Sequence, residues 1–185
     1  MNSDKNIGII TGLPRCRTAW LSELFTIYGF SFAYHEAEVG CEDDEQWRDK
    51  LLNNPEKHII DCNPGFFLTY DYKLALFPNA KIIIVSRNDE ESFTSWKKAF
   101  QGPFKIPDKD AELTWAALKN GRDNLRIERK DVLEIDYKDL DNETTYLKMG
   151  VHLFGGDFPS DLRRFAELRK KIIVQNAEHM AAIYN

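Results

Sequence analysis

Four short apolar runs rich in β-branched residues recur along the chain, at Asn6 to Thr11, His58 to Asp61, Lys81 to Ser86 and Val132 to Tyr137. Their length and branching suit buried strands. A weaker run, Phe30 to Tyr34, is a candidate fifth. Between the runs lie segments whose apolar residues return about every 3.6 positions: Thr18 to Tyr28, Asp43 to Leu52, Phe66 to Phe77, Glu90 to Phe100 and Lys109 to Arg129. Strand alternates with helix, which predicts an α/β fold with a parallel sheet of about five strands flanked by helices. After the last strand the spacing is helical, through Glu143 to Phe154 and Ser160 to Ile183, broken by the run from Gly155 to Pro159. No repeat or long linker divides the 185 residues, so residues 1–185 are expected to form one domain.

Composition narrows the function classes. A formal net charge of -5 argues against a broad nucleic-acid surface, because neutralising phosphates dominates that affinity. A local basic pocket for a small polyanion stays compatible with it. No apolar run approaches membrane-spanning length and the N-terminus lacks the pattern of a secretory signal, so a cytoplasmic protein is expected. Three cysteines without C-x-x-C spacing suggest reduced thiols and no metal site.

In open parallel sheets, ligands bind beyond the carboxyl ends of the strands. The residues in question are the loop from Gly12 to Trp20 (GLPRCRTAW), His35 and Glu36, Asp61 to Asn63, Arg87 and Tyr137. The first loop joins a strand to a helix. Such a junction gathers backbone N–H groups and the positive end of a helix dipole at one point. Arg15 and Arg17 add charge, and Thr18 adds a hydroxyl. An ATP-binding loop, G-x-x-x-x-G-K-[ST], does not fit, since Arg17 and Thr18 stand where Gly and Lys belong. A phosphatase C-x5-R loop fails too, because counting back from Arg17 reaches Thr11. Cys16, at a helix start beside two arginines, has surroundings that favour a thiolate, against the plainer reading that only its backbone N–H matters.

The loop Pro14, Arg15, Cys16, Arg17, Thr18, Ala19, Trp20 resembles the 5′-phosphosulfate loop of the sulfotransferase family, P-[KR]-[ST]-G-T-[TS]-W. Cys16, Arg17 and Ala19 depart from it. The stretch from Phe77 to Trp96 is similar to the family's 3′-phosphate segment, with Arg87 at the strand end and Ser95 eight residues later on a helix; Asp89 stands where Pro is common. The run from Val132 to Leu140 resembles the late strand ending in Tyr-x-x-Leu, with Gly150 in the helix beyond. The family's C-terminal basic loop has no clear counterpart, Arg169 to Lys171 lying in a helical pattern.

This resemblance implies a P-loop nucleotide-binding, sulfotransferase-like architecture. It also implies transfer of a sulfuryl group from 3′-phosphoadenosine 5′-phosphosulfate (PAPS) to a hydroxyl or amine without a metal, leaving 3′,5′-adenosine bisphosphate (PAP). On this reading Pro14, Arg15, Cys16, Arg17, Thr18, Ala19, Trp20, Arg87 and Ser95 bind the donor, with Arg15 and Thr18 stabilising the charge that develops on the bridging oxygen. Trp20 stacks on the adenine or else packs in the core. A base is needed for the acceptor's proton, and Glu36 is favoured over His35. The acceptor is a small molecule or glycan that these residues do not identify. Asp61 to Pro64 could mimic the carboxylate segment of a magnesium-dependent kinase, but Asp after an Ile-Ile strand is common and the first loop lacks its lysine, so the segment reads as structural or acceptor-side; a degenerate nucleotide or metabolite kinase is one alternative. A binding protein that retains the pocket without the activity is another.

Overall fold

The computed structural model describes residues 5–104, 107–159, 161 and 163–171, without side chains for 100–104. Five parallel strands, β1 (Asn6–Gly12), β2 (Phe32–His35), β3 (His58–Cys62), β4 (Lys81–Ser86) and β5 (Leu133–Asp136), form one sheet in the order β2-β3-β1-β4-β5. The three central strands are buried on both faces, which is why they read as continuous Ile and Val runs. The edge strands β2 and β5 are only partly covered. That explains the weak signal at β2, which begins two residues later than its sequence suggests and includes His35.

Helices α1 (Thr18–Tyr28) and α6 (Glu143–Phe154), with the helical segment 163–171 as α7, pack together. Tyr28 stacks on Phe165 at 4.1 Å between centroids and Trp20 meets Tyr146 at 5.8 Å. Gly150 makes this layer possible, because a Cβ there would fall 2.1 Å from the Phe158 ring. The other helices are α2 (Asp44–Asn53), α3 (Tyr70–Leu76), α4 (Asp89–Phe104) and α5 (Asp108–Glu128). Trp47 meets Phe77 at 5.4 Å and Trp96 stacks on Trp115 at 5.7 Å. The segment expected as one helix from Phe66 to Phe77 is instead a 3₁₀ turn, Phe66–Leu68, followed by α3. The turn lies against α5, where a Gly121 Cβ would be 2.0 Å from the Phe67 carbonyl oxygen. Of the long C-terminal helix expected from Ser160 to Ile183, 163–171 is helical and the remainder lies outside the described residues.

The strand order decides where a ligand can sit. From β1 the chain crosses to the β2–β3 side, and from β4 it crosses the other way to β5. Right-handed crossovers then place α1 and α4 on opposite faces, leaving a crevice between the carboxyl ends of β1 and β4. The loop after β1 and Arg87 after β4 flank that crevice.

Candidate functional site

Gly12 ends β1 opposite Val85 of β4. A side chain at Gly12 would meet the Val85 carbonyl oxygen at 2.5 Å and Cys16 Cβ at 2.9 Å, so only glycine lets the loop turn here. Cys16 folds beneath the loop and is almost fully buried. Burial pushes its thiol up to about 11, against the opposing pull of the Ser92 hydroxyl, Arg87 and Arg122. The thiolate that its neighbours suggested is therefore disfavoured, because desolvation outweighs them.

Three residues other than glycine have positive φ: Arg15 (76°), Arg17 (62°) and Glu36 (54°) among the described residues. All three line one cleft of about 440 Å³ with Pro14, Thr18, Ala19, Trp20, His35, Arg87 and Tyr137. Left-handed backbone costs a non-glycine residue on the order of 1–2 kcal/mol, and such strain concentrates at functional sites. Arg17 makes sense of one departure from the loop pattern. It takes the left-handed conformation a glycine would adopt freely, while its side chain is held by Asp141 at 3.1 Å and by the Tyr137 ring at 4.6 Å.

Arg17 is the N-cap of α1, yet no side chain caps the helix and its first turn holds no acidic residue. The first backbone bond of α1 runs from Leu21 N–H to Arg17 O. The N–H groups of Thr18, Ala19 and Trp20 precede it and face the cleft without an intrahelical acceptor. The Thr18 hydroxyl has no partner among the described residues. The geometry and the dipole sign of this helix start suit an anion.

On the β4 side, Arg15 Nε donates to Ser95 Oγ at 3.3 Å, and Arg87 donates to the Arg15 carbonyl oxygen at 3.3 Å. Two segments eighty residues apart are thereby interlocked. Arg87 and Arg17 lie over the Tyr137 ring at 4.7 and 4.6 Å. Sequence reasoning marked Tyr137 as a strand-end residue without a role; its ring steadies both cations. Asp89, in place of the usual Pro, opens α4 and takes a two-pronged contact from Arg122 at 2.6 and 3.1 Å and one from Lys119 at 3.0 Å. Those hydrogen bonds hold its carboxyl below the usual range. Their partners lie on α5, so the signal was long-range and invisible locally.

On the β2 side, His35 Nε2 stands 3.7 Å from Glu36 Oε1, both partly exposed to the cleft. Beneath them Asp61 is fully buried. It accepts from Ala37 N–H at 2.9 Å and from Trp47 Nε1 at 3.0 Å, and burial lifts its carboxyl above the ordinary value. Asp61 is thus a brace for the loop carrying Glu36, facing the interior and away from the cleft where a kinase would need its carboxylate. Trp20 lines the cleft and also packs on Tyr146, as its core reading expects. Arg169 donates to Asp141 at 2.6 and 2.8 Å and is tied there.

No family model and no curated protein matches this sequence. Solved structures do. The sulfotransferase domain from the curacin biosynthetic pathway is 15% identical with a TM-score of 0.61, over 88% of this chain and 77% of that one. The mouse sulfotransferase SULT7A1 complexed with PAP is 16% identical with a TM-score of 0.60, over 89% of this chain and 64% of that one. The chain has a sulfotransferase-like fold. It spans roughly two-thirds to three-quarters of the length of these two neighbours. No described helix is long and apolar enough to cross a membrane.

Proposed function

We propose that the chain, acting as one domain over residues 1–185, is a sulfotransferase that takes PAPS as donor and a hydroxyl or amine of a small molecule or glycan as acceptor. The observation that carries this reading is the interlock of Arg15, Ser95 and Arg87 beside the uncapped start of α1. It offers two anion sites side by side, as a donor with a 5′-phosphosulfate and a 3′-phosphate requires.

The first-turn N–H groups and the Thr18 hydroxyl receive the 5′-phosphosulfate. Arg15, permanently charged and unable to give up its proton, stabilises the negative charge that grows on the bridging oxygen as the S–O bond breaks. Arg87 and Ser95 hold the 3′-phosphate, and Trp20 offers its face to the base. The acceptor attacks sulfur from the side opposite the leaving oxygen, and its proton passes to Glu36, with His35 beside it. PAP leaves with the bridging oxygen on its 5′-phosphate. Arg17 adopts the left-handed conformation open to a glycine, which supports a working loop.

A thermal-shift titration with PAP, ADP and ATP, with and without Mg²⁺, tests the reading. Stabilisation by PAP without metal, growing as RT ln(1 + [L]/Kd), is expected. Preference for Mg²⁺-ATP would return the kinase alternative, and PAP binding without transfer to any acceptor would identify a binding protein.

A further inference from the structure

The outer face of α4 carries a groove of about 630 Å³ lined by Arg87, Glu90, Glu91, Thr94, Ser95 and Lys98. Glu91, Ser95 and Lys98 are spaced by four and three residues, so they share one face of the helix. Arg87 lines both this groove and the cleft over α1, and Arg15 of the cleft donates to Ser95 of the groove at 3.3 Å. A ligand held by Arg87 therefore borders both.

Charge in the groove is unevenly committed. Arg87 Nε lies 3.6 Å from Glu91 Oε2 and has no hydrogen-bond partner among the described residues. The neighbouring cations are engaged elsewhere: Lys97 with Asp108 at 3.1 Å, Lys119 and Arg122 with Asp89. Lys98 is exposed and has no ion pair or hydrogen bond among the described residues. A phosphate monoester carries between one and two negative charges near neutral pH, more than Arg87 can balance while it faces Glu91, with Glu90 also on the rim.

We propose that Lys98 is a further contact for the 3′-phosphate and that Glu91 competes with that phosphate for Arg87, so that this face of α4 sets selectivity for 3′-phosphorylated nucleotides. The inference rests on the reading of the cleft as a PAP site. When the phosphate enters, Arg87 exchanges Glu91 for it, Ser95 donates its hydroxyl proton, and Lys98 closes the open side. Lys98 reaches the ligand as a flexible point charge.

Calorimetry with PAP and with 5′-AMP, which differ only in the 3′-phosphate, isolates this contribution. Lys98→Ala is expected to weaken PAP roughly three- to ten-fold, the range of a partly exposed charge contact, while leaving 5′-AMP unchanged. Lys98→Arg should restore most of the loss, and Glu91→Gln should tighten PAP by roughly two- to five-fold. If the wild-type protein prefers PAP but Lys98→Ala keeps the same PAP/AMP ratio, this proposal falls and the sulfotransferase reading stands. If the wild-type protein shows no preference for PAP, both fall.

Discussion

The two ends of the sheet make a useful contrast. At the amino ends of the strands lies a groove of about 560 Å³, lined by Leu76, Phe77, Ala80, Lys81, His152 and Phe154 among others. At the carboxyl ends lies the smaller cleft, of about 440 Å³. Among the described residues, no α-helix begins in the lining of the larger void, and none of its residues other than Gly155 has a positive φ. The smaller holds all three positive-φ residues other than glycine among those described, together with three arginines. Direction, not volume, separates them: parallel strands send their loops and the following helix starts to one edge, where N–H dipoles converge.

The sharpest way to break the contrast is to remove one cation from each end. Arg87→Ala should weaken PAP by roughly thirty-fold or more, as loss of a charged hydrogen-bond partner costs about 2–5 kcal/mol. Lys81→Ala, at the amino end, should leave the dissociation constant within about two-fold. Equal losses in a calorimetric titration would mean that the cleft is not the nucleotide site.

Glycines come next. Gly12→Ala forces a Cβ to 2.5 Å from the Val85 oxygen, and overpacking of this kind costs about 1–3 kcal/mol. Gly156, beyond α6, has nothing within 4 Å of its added Cβ, so Gly156→Ala should change stability by less than about 0.5 kcal/mol. Urea denaturation of both variants checks the difference.

Arg17 gives a subtler comparison. Arg17→Ala loses Asp141 and Tyr137 yet keeps the left-handed backbone. Arg17→Gly loses the same contacts and releases the strain, so it should be the more stable variant by about 1 kcal/mol. A glycine variant no more stable than the alanine one would show that the strain is not where the backbone angle puts it.

The smallest effect concerns pH and the opposite end. Burial depresses His58, beside Phe30 and Phe154, and His152, whose Nε2 donates to the Ile82 carbonyl oxygen at 3.0 Å. The unfolded chain binds protons more readily than the fold as pH drops below the ordinary histidine value near 6.5. Stability is thus full above that value and declines as pH falls through it. A melting temperature measured from pH 7.5 to 5.5 should drop, and the double variant His58→Phe, His152→Gln should flatten the slope.

Much of the fold was legible because the three central strands lie under helices on both sides, which requires unbroken apolar runs. Helices α1 and α6 kept their sequence-derived bounds, Thr18–Tyr28 and Glu143–Phe154. The half-covered strand β2 and the break between Phe66–Leu68 and Tyr70–Leu76 were less legible, since packing against α5 selects the tight turn. At the candidate site, Gly12 and Arg87 were readable as strand-end positions, and Ser95 only through the resemblance of its spacing from Arg87 to the sulfotransferase 3′-phosphate segment. The Asp89–Arg122 contact, the Tyr137 ring shared by two arginines and the buried state of Cys16 were not.

Sequence by itself determined the alternation of strand and helix and the strand-to-helix loop, because periodicity and turn chemistry are local. Only the tertiary structure decided that β4 lies beside β1, which brings Arg87 and Ser95 to Arg15 across more than seventy residues. It also decided that Arg17 occupies a glycine's conformation and that Cys16 stays protonated. Each depends on what the folded chain places within a few ångströms: an Asp141 carboxylate and a Tyr137 ring in one case, the exclusion of water in the other.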